Sequence, residues 1–193
     1  MADLLASPPL GQHLPTGRFG APGPAGVILN SLPLSACILV AGRDKAALRA
    51  AIASHFGIEP EDAPKYQATD TASFIGTGPS RWLVLSVQDN LFARLEQAAG
   101  AAGSVFEQSG GLVVLEAAGP ELPRTLAKLI PLDLDPAIFP IGAAATTNAA
   151  HINLTLWKTE EGCFAFAVGR SFFAAFLRAF ACAAAEFGLD WRG

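Results

Sequence analysis

The chain has 193 residues and a mass of 20.0 kDa; 51 % of its residues are hydrophobic, 16 % are charged, and the formal net charge is −4 with a pI near 5.3. That length can bury a core without metals or disulfides, and the charged share lies well under the usual ~25 %. No run of Lys or Arg occurs, which excludes a nucleic-acid footprint and a polybasic membrane anchor.

Residues 1–26, ending in "SPPLGQHLPTGRFGAPGPAG", are too rich in Pro and Gly for a regular element and too poor in apolar side chains to bury much. The pattern predicts an extended arm over residues 1–30, ordered only against a partner, followed by one α+β domain over 31–193. "MADLLASPPLG" has no basic n-region and does not read as a secretory signal. The apolar stretch "VILNSLPLSACILVAG" is broken by Asn30 and Pro33, too early for a membrane span. These readings point to a cytoplasmic protein.

"SACILVAG" (35–42) reads as a strand. Asp44 caps a helix to Phe56, with Leu48, Ile52 and Phe56 on one stripe and Gly57 closing it. "ASFIGT" is a strand, Gly78-Pro79 a turn, and "RWLVLSV" the next strand. Asp89 or Asn90 caps "LFARLEQAA", which Gly100 ends, and "SVFEQ" is a further strand. The order βαββαβ is the ferredoxin-like arrangement.

A second half follows. "GLVVLEAA" (111–118) is a strand, and Gly119-Pro120 opens a helix, "ELPRTLAKLI". "PLDLDPAIFPIG" is a Pro-bounded loop, and "AAATTNAA", "HINLTLWK" and "CFAFAVG" are strands. Both halves carry strand, helix and strands again, which hints at a duplication. The terminal helix, 171–187, places Phe172, Phe173, Phe176, Leu177, Phe180 and Phe187 in one sector. The opposite sector is Ala174, Ala181, Cys182 and Ala185, with only Arg178 and Glu186 charged. Such a face is buried either between layers of the chain itself or against another subunit. Arg178, Ala181 and Ala185 are therefore candidate partner-interface residues, and Arg81, just before Trp82, is a further one.

Motifs for chemistry are absent. Gly76-Thr77-Gly78 begins like a dinucleotide loop, but Arg81 replaces the third glycine and a strand follows. No phosphate-binding GxxxxGK[ST] occurs. Ser109 has no GxSxG setting, Asp133 and Asp135 read as turn carboxylates, and the sequon at Asn153 falls in a strand. Cys37, Cys163 and Cys182 are far apart and read as three buried thiols of a reducing compartment. His13, His55 and His151 are isolated, so no metal site is expected. No catalytic, cofactor-binding or metal-binding residue is assigned. Trp82, heading its apolar run, reads as the start of a core strand whose indole N–H needs a carbonyl.

From residue 70 to 189 the chain resembles the gamma subunit of heterotetrameric sarcosine oxidase. The resemblance lies in "GPSRWLVLS", "FEQSGGLVVLEAAGPELPRTLAKLIPLDLDPAIFPIG" and "HINLTLWKTEEGCFAFAVGRSFFAAFLRAFACAAAEFG". Glu107-Gln108-Ser109-Gly110 departs from the commoner "DQSH" turn of that family. The resemblance implies a fold similar to the folate-binding domain of aminomethyltransferase (the glycine-cleavage T-protein). It implies a non-catalytic subunit in a complex with alpha, beta and delta chains, chiefly docked on alpha. That complex oxidatively demethylates sarcosine to glycine and passes the one-carbon unit to tetrahydrofolate, with FAD, FMN, NAD and zinc held by the partner chains. The alternatives are a free-standing folate-binding or aminomethyltransferase-like protein, and a subunit of an oxidase for another N-methyl amino acid. The related iron–sulfur maturation factor is set aside, because Ala165-Phe166-Ala167 follows Gly162-Cys163-Phe164 where that family continues Gly-Gln-Glu.

Overall fold

The computed structural model describes residues 15–193. Two short segments open it, β1 (Gly17–Phe19) and β2 (Val27–Leu32), followed by β3 (Ser35–Ala41) and helix α1 (Lys45–Phe56). The cap residues act as the sequence predicts. The Asp44 carboxylate accepts the Ala47 N–H at 2.9 Å, and Gly57, with φ of 74°, closes the helix by donating to the Ala53 carbonyl. Next come β4 (Tyr66–Ala68), β5 (Ser73–Gly78), β6 (Arg81–Ser86), α2 (Leu91–Ala99) and β7 (Gly103–Glu107). The chain then runs through β8 (Leu112–Ala118), α3 (Leu122–Ala127), β9 (Ala144–Ala149), β10 (Ile152–Glu160), β11 (Cys163–Gly169), α4 (Phe173–Ala184) and β12 (Leu189–Trp191).

One sheet has the order β4-β5-β6-β3-β7, antiparallel throughout. Without β4 it is the ferredoxin-like βαββαβ unit. The other sheet has the order β1-β12-β2-β8-β11-β10-β9. Its strands β10, β11, β8 and β12 follow the same spatial succession, with β2 inserted between β12 and β8. The molecule is thus α+β, built as four layers. Leu48, Ile52, Leu91 and Leu95 seat α1 and α2 on the five-stranded sheet. Leu126, Phe176 and Phe180 seat α3 and α4 on the seven-stranded sheet. Between the sheets lies a thinner layer that includes Ile75, Leu83, Val114 and Trp157. Tyr66 of β4 stacks on Trp157 of β10 across it, with ring centroids 6.2 Å apart.

The expected arm over residues 1–30 needs correction. Residues 1–14 lie outside the described part, but Gly17–Phe19 pairs with Leu189–Trp191, and Val27–Leu32 lies between β12 and β8 inside the larger sheet. The connecting segment is tied to the chain's own C-terminal region: Ala21, Gly26 and Val27 donate to the carbonyls of Ala185, Phe187 and Gly188 at 2.7, 2.9 and 3.1 Å. The prolines and glycines suit this role. Gly20 has φ of +83°, and a Cβ there would sit 2.1 Å from the Ala185 oxygen. Backbone bonding, not side-chain burial, orders this stretch.

The terminal helix also begins later than expected. Residues 170–172 form a 3₁₀ turn, which rotates Phe172 out of the apolar sector and leaves it 58 % exposed. Phe187 lies beyond the helix, half-buried beneath the Arg124 and Lys128 cations at 4.5 and 4.4 Å from its ring centroid.

Candidate functional site

Trp82 is buried, and its Nε1–H donates to the Glu61 carbonyl at 2.8 Å, so it is a core residue of β6. Arg81, one residue earlier, is exposed and has no ion-pair partner among the described residues. It borders an opening of about 170 Å³ between the two sheets, lined also by Ile38, Thr77, Leu83, Thr146 and Thr155. The opening follows from the sequence of the facing strands. Along β10 the side chains toward the other sheet step from Trp157 to Thr155 to Asn153, and along β9 from Ala144 to Thr146 to Asn148. The layer loses apolar volume toward that end.

The other candidate interface residues, Arg178 and Ala181 on α4 and Ala185 at its C-cap, do not join Arg81. Arg178 is exposed and donates through Nε to the Ala174 carbonyl at 3.2 Å. Ala181 is half-buried against the larger core. Ala185 is covered by the chain's own Gly20-Ala21 segment. The exposed stripe of α4 is instead Ala175, Arg178 and Cys182. Cys182 is therefore not the buried thiol that was expected: Cys37 is buried, Cys163 half-buried and Cys182 exposed. Burial, and secondarily the Glu107 carboxylate, push the Cys37 thiol up to about 12.

The motifs set aside as structural have structural positions. Gly76 and Gly78 lie in β5, and the Gly76 N–H donates to the Lys65 carbonyl at 2.9 Å; the segment turns into β6 and meets no helix N-terminus, so it does not fit a dinucleotide. The turn at residues 107–111 carries the chain from one sheet to the other. Ser109 Oγ accepts the Ala36 N–H at 2.9 Å, Glu107 Oε1 accepts the Ser109 N–H at 2.8 Å, and Arg170 donates to the carbonyls of Gly110, Ser109 and Leu112 at 2.8, 3.2 and 3.4 Å. Among the described residues no group of three or more His, Cys, Asp or Glu side chains could hold a metal ion, and no helix is long and apolar enough to cross a membrane.

The sequence reading missed an open cleft of about 360 Å³ formed by α3, the loop 131–143 and the β10–β11 turn. Its apolar wall includes Leu132, Pro136 and Phe164; its charged groups are Asp133, Asp135, Glu161 and Lys158. Lys158 is only 2 % exposed, with Nζ 3.2 Å from a Glu161 oxygen. Its position directly after the apolar pair Leu156-Trp157 of β10 was the available signal. The adjoining loop presents Leu132, Ile138 and Ile141 at 38, 65 and 58 % exposure.

Residues 41–186 match the sarcosine oxidase, gamma subunit family. Among curated proteins, the chain is 28 % identical over 154 residues to sarcosine oxidase subunit gamma of Arthrobacter sp., covering 78 % of this chain and 76 % of that one. It is 38 % identical over 86 residues to sarcosine oxidase subunit gamma of Corynebacterium sp. (strain P-1), covering 44 % of this chain; the match spans only 42 % of that relative's length. Among solved structures it is similar to a chain of the heterotetrameric sarcosine oxidase from Corynebacterium sp. U-96 in complex with pyrrole 2-carboxylate, with a TM-score of 0.77 and 27 % identity over 88 % of both chains. It shares its fold with glycine cleavage system aminomethyltransferase T from Bartonella henselae, with a TM-score of 0.63 and 13 % identity over 88 % of this chain and 48 % of that one. The chain belongs to the sarcosine oxidase gamma subunit family.

Proposed function

We propose that this chain is the non-catalytic gamma subunit of a cytoplasmic heterotetrameric sarcosine oxidase. The observation that carries the reading is the family match over residues 41–186, joined to a structural likeness that spans 88 % of both chains. In this reading the complex oxidatively demethylates sarcosine to glycine and passes the one-carbon unit to tetrahydrofolate. FAD, FMN, NAD, zinc and the folate site belong to the alpha, beta and delta chains, and gamma docks chiefly on alpha. An aminomethyltransferase-like function on its own is less well supported, because the chain spans 48 % of the matching T-protein chain.

Co-expression with the alpha, beta and delta chains and purification through a tag on this chain tests the proposal. The expected product is a yellow complex containing all four chains that oxidises sarcosine, whereas this chain expressed alone is colourless and inactive. Stoichiometric flavin on the lone chain, or failure to recruit any of the three partners, overturns the reading.

A further inference from the structure

We infer that the face formed by the loop 131–142 and the adjoining cleft docks a partner subunit through an apolar segment that carries a basic side chain. The inference rests on the subunit reading above and names the surface which that assembly uses.

The loop holds itself in one shape. Asp133 Oδ1 accepts the Asp135 N–H at 3.0 Å, and Asp135 Oδ1 accepts the Ala137 N–H at 2.9 Å. The Asp135 carbonyl accepts from Ile138 and Phe139 at 2.9 and 2.7 Å, and Gly142 donates to the Lys158 carbonyl at 3.0 Å. Phe139 anchors the loop in the core, its ring 6.1 Å from that of Phe164. Ile138 lies next to this anchor and Ile141 two residues beyond it, and both are left in water by a backbone that is already fixed. Clustered aliphatics on a preordered loop mark an interaction surface, because binding there costs little ordering entropy.

Charge selects the occupant. Asp133 and Asp135 each use one oxygen in the turn, and neither has an ion-pair partner among the described residues. The cation in the cleft, Lys158, is buried and already paired with Glu161. The cations of the neighbouring helix, Arg124 and Lys128, are committed elsewhere: both lie over Phe187, with Arg124 paired to Glu121 and Lys128 to Glu186. Lys65, bridged to Ala143 two residues beyond Ile141, is paired with Glu61 at 2.9 Å, so the unpaired charge beside the exposed aliphatics is negative. The cleft of about 360 Å³ has apolar walls for the stem of a Lys or Arg and carboxylates for its head.

The test uses the co-expressed complex. Two variants are compared with wild type: I138D/I141D, which spoils the apolar contact, and D133N/D135N, which removes two charges but keeps both amide-accepting oxygens of the turn. Both sites are exposed, and the melting temperature of the variant chains is expected to stay at the wild-type value. Partner affinity is expected to fall on the order of tenfold or more for I138D/I141D. For D133N/D135N the affinity falls less, and its dependence on salt becomes shallower. Hydrogen exchange on the wild-type complex, which needs no variant, is expected to show protection of residues 131–142 on assembly. If wild type assembles while both variants bind equally well, or the loop gains no protection, the proposal is overturned and the subunit reading stands. If wild type recruits no partner, both fall. If the lone chain self-associates through a contact that I138D/I141D abolishes, the occupant is a second copy, and the committed partner is wrong.

Discussion

The indole of Trp82 donates to the main-chain carbonyl of Glu61, 2.8 Å away and 21 residues earlier in the chain. That bond pins the loop that follows α1 against the end of β6, and the same loop reaches the larger sheet through Pro64, whose carbonyl accepts the Ala144 N–H at 3.0 Å. Replacing Trp82 with Phe keeps most of the apolar bulk but leaves the Glu61 carbonyl without this donor. The expected cost is about 1–3 kcal/mol, read as a lower melting temperature. Amide exchange in residues 60–66 rises with it.

Gly76 and Gly78 lie in the same strand and are expected to respond oppositely. A Cβ on Gly76 would stand 1.9 Å from the Ala63 oxygen, whereas one on Gly78 meets nothing within 4 Å. Gly76→Ala forces the crossing backbone away and costs about 1–3 kcal/mol. Gly78→Ala stays within roughly 0.5 kcal/mol of wild type. Equal melts for the two variants would show that the 61–65 crossing yields freely.

The helices and the long strands were legible because their signals are local. The four-residue stripe Leu48, Ile52 and Phe56, with Asp44 and Gly57 at its ends, fixes α1 without reference to the rest of the chain. β1, β4 and β12 have three residues each, too few for a periodicity, and exist only through their pairing. β2 was hidden by the Pro- and Gly-rich stretch before it, whose ordering comes from backbone bonds to residues 185–188. The β9–β10 hairpin turns at Ala150 and His151, with φ of 48° and 68°, without the Asn-Gly signature such a turn usually shows. Arg178, Ala181 and Ala185 follow from the helical wheel of the terminal segment alone. A wheel cannot know that Gly20 covers Ala185, nor that an acidic Pro-bounded loop holds its aliphatics outward. The turn at residues 107–110 had no assigned role in the sequence, because its meaning depends on Arg170, which lies in another element.

Arg170 is expected to be irreplaceable by lysine. Its guanidinium satisfies three carbonyls of the inter-sheet turn from one rigid plane, a geometry an ammonium cannot reproduce. Arg170→Lys should cost about 1–2 kcal/mol. Faster amide exchange at residues 109–112, with little change in α1, is the local signature that separates this from a general loosening. Uniformly altered exchange would contradict the clamp.

The three thiols are expected to divide by position. Cys182 is exposed on α4 and should react with a maleimide in the native protein at pH 8, while Cys37, buried in β3, should react only on unfolding. The same burial makes stability depend on pH in the alkaline range. The Cys37 thiol is pushed up to about 12, first by desolvation and then by the Glu107 carboxylate, whose Oε2 lies 4.0 Å from Sγ. In the unfolded chain an ordinary thiol loses its proton near pH ~8.5. Between these values the unfolded state has released a proton that the folded state retains, so stability falls as pH rises through this window and is unaffected by this group below it. Cys37→Ala removes that component. The variant starts from a lower stability at pH 7 because of the small cavity, but its denaturation midpoint should decline less steeply from pH 8.5 to 11 than that of wild type. Cys163, raised in the same direction by its own partial burial, leaves a residual slope. Parallel pH profiles for wild type and Cys37→Ala would mean that Cys37 ionises no less readily in the folded chain than in the unfolded one, and the dry interior assigned to β3 would have to be abandoned.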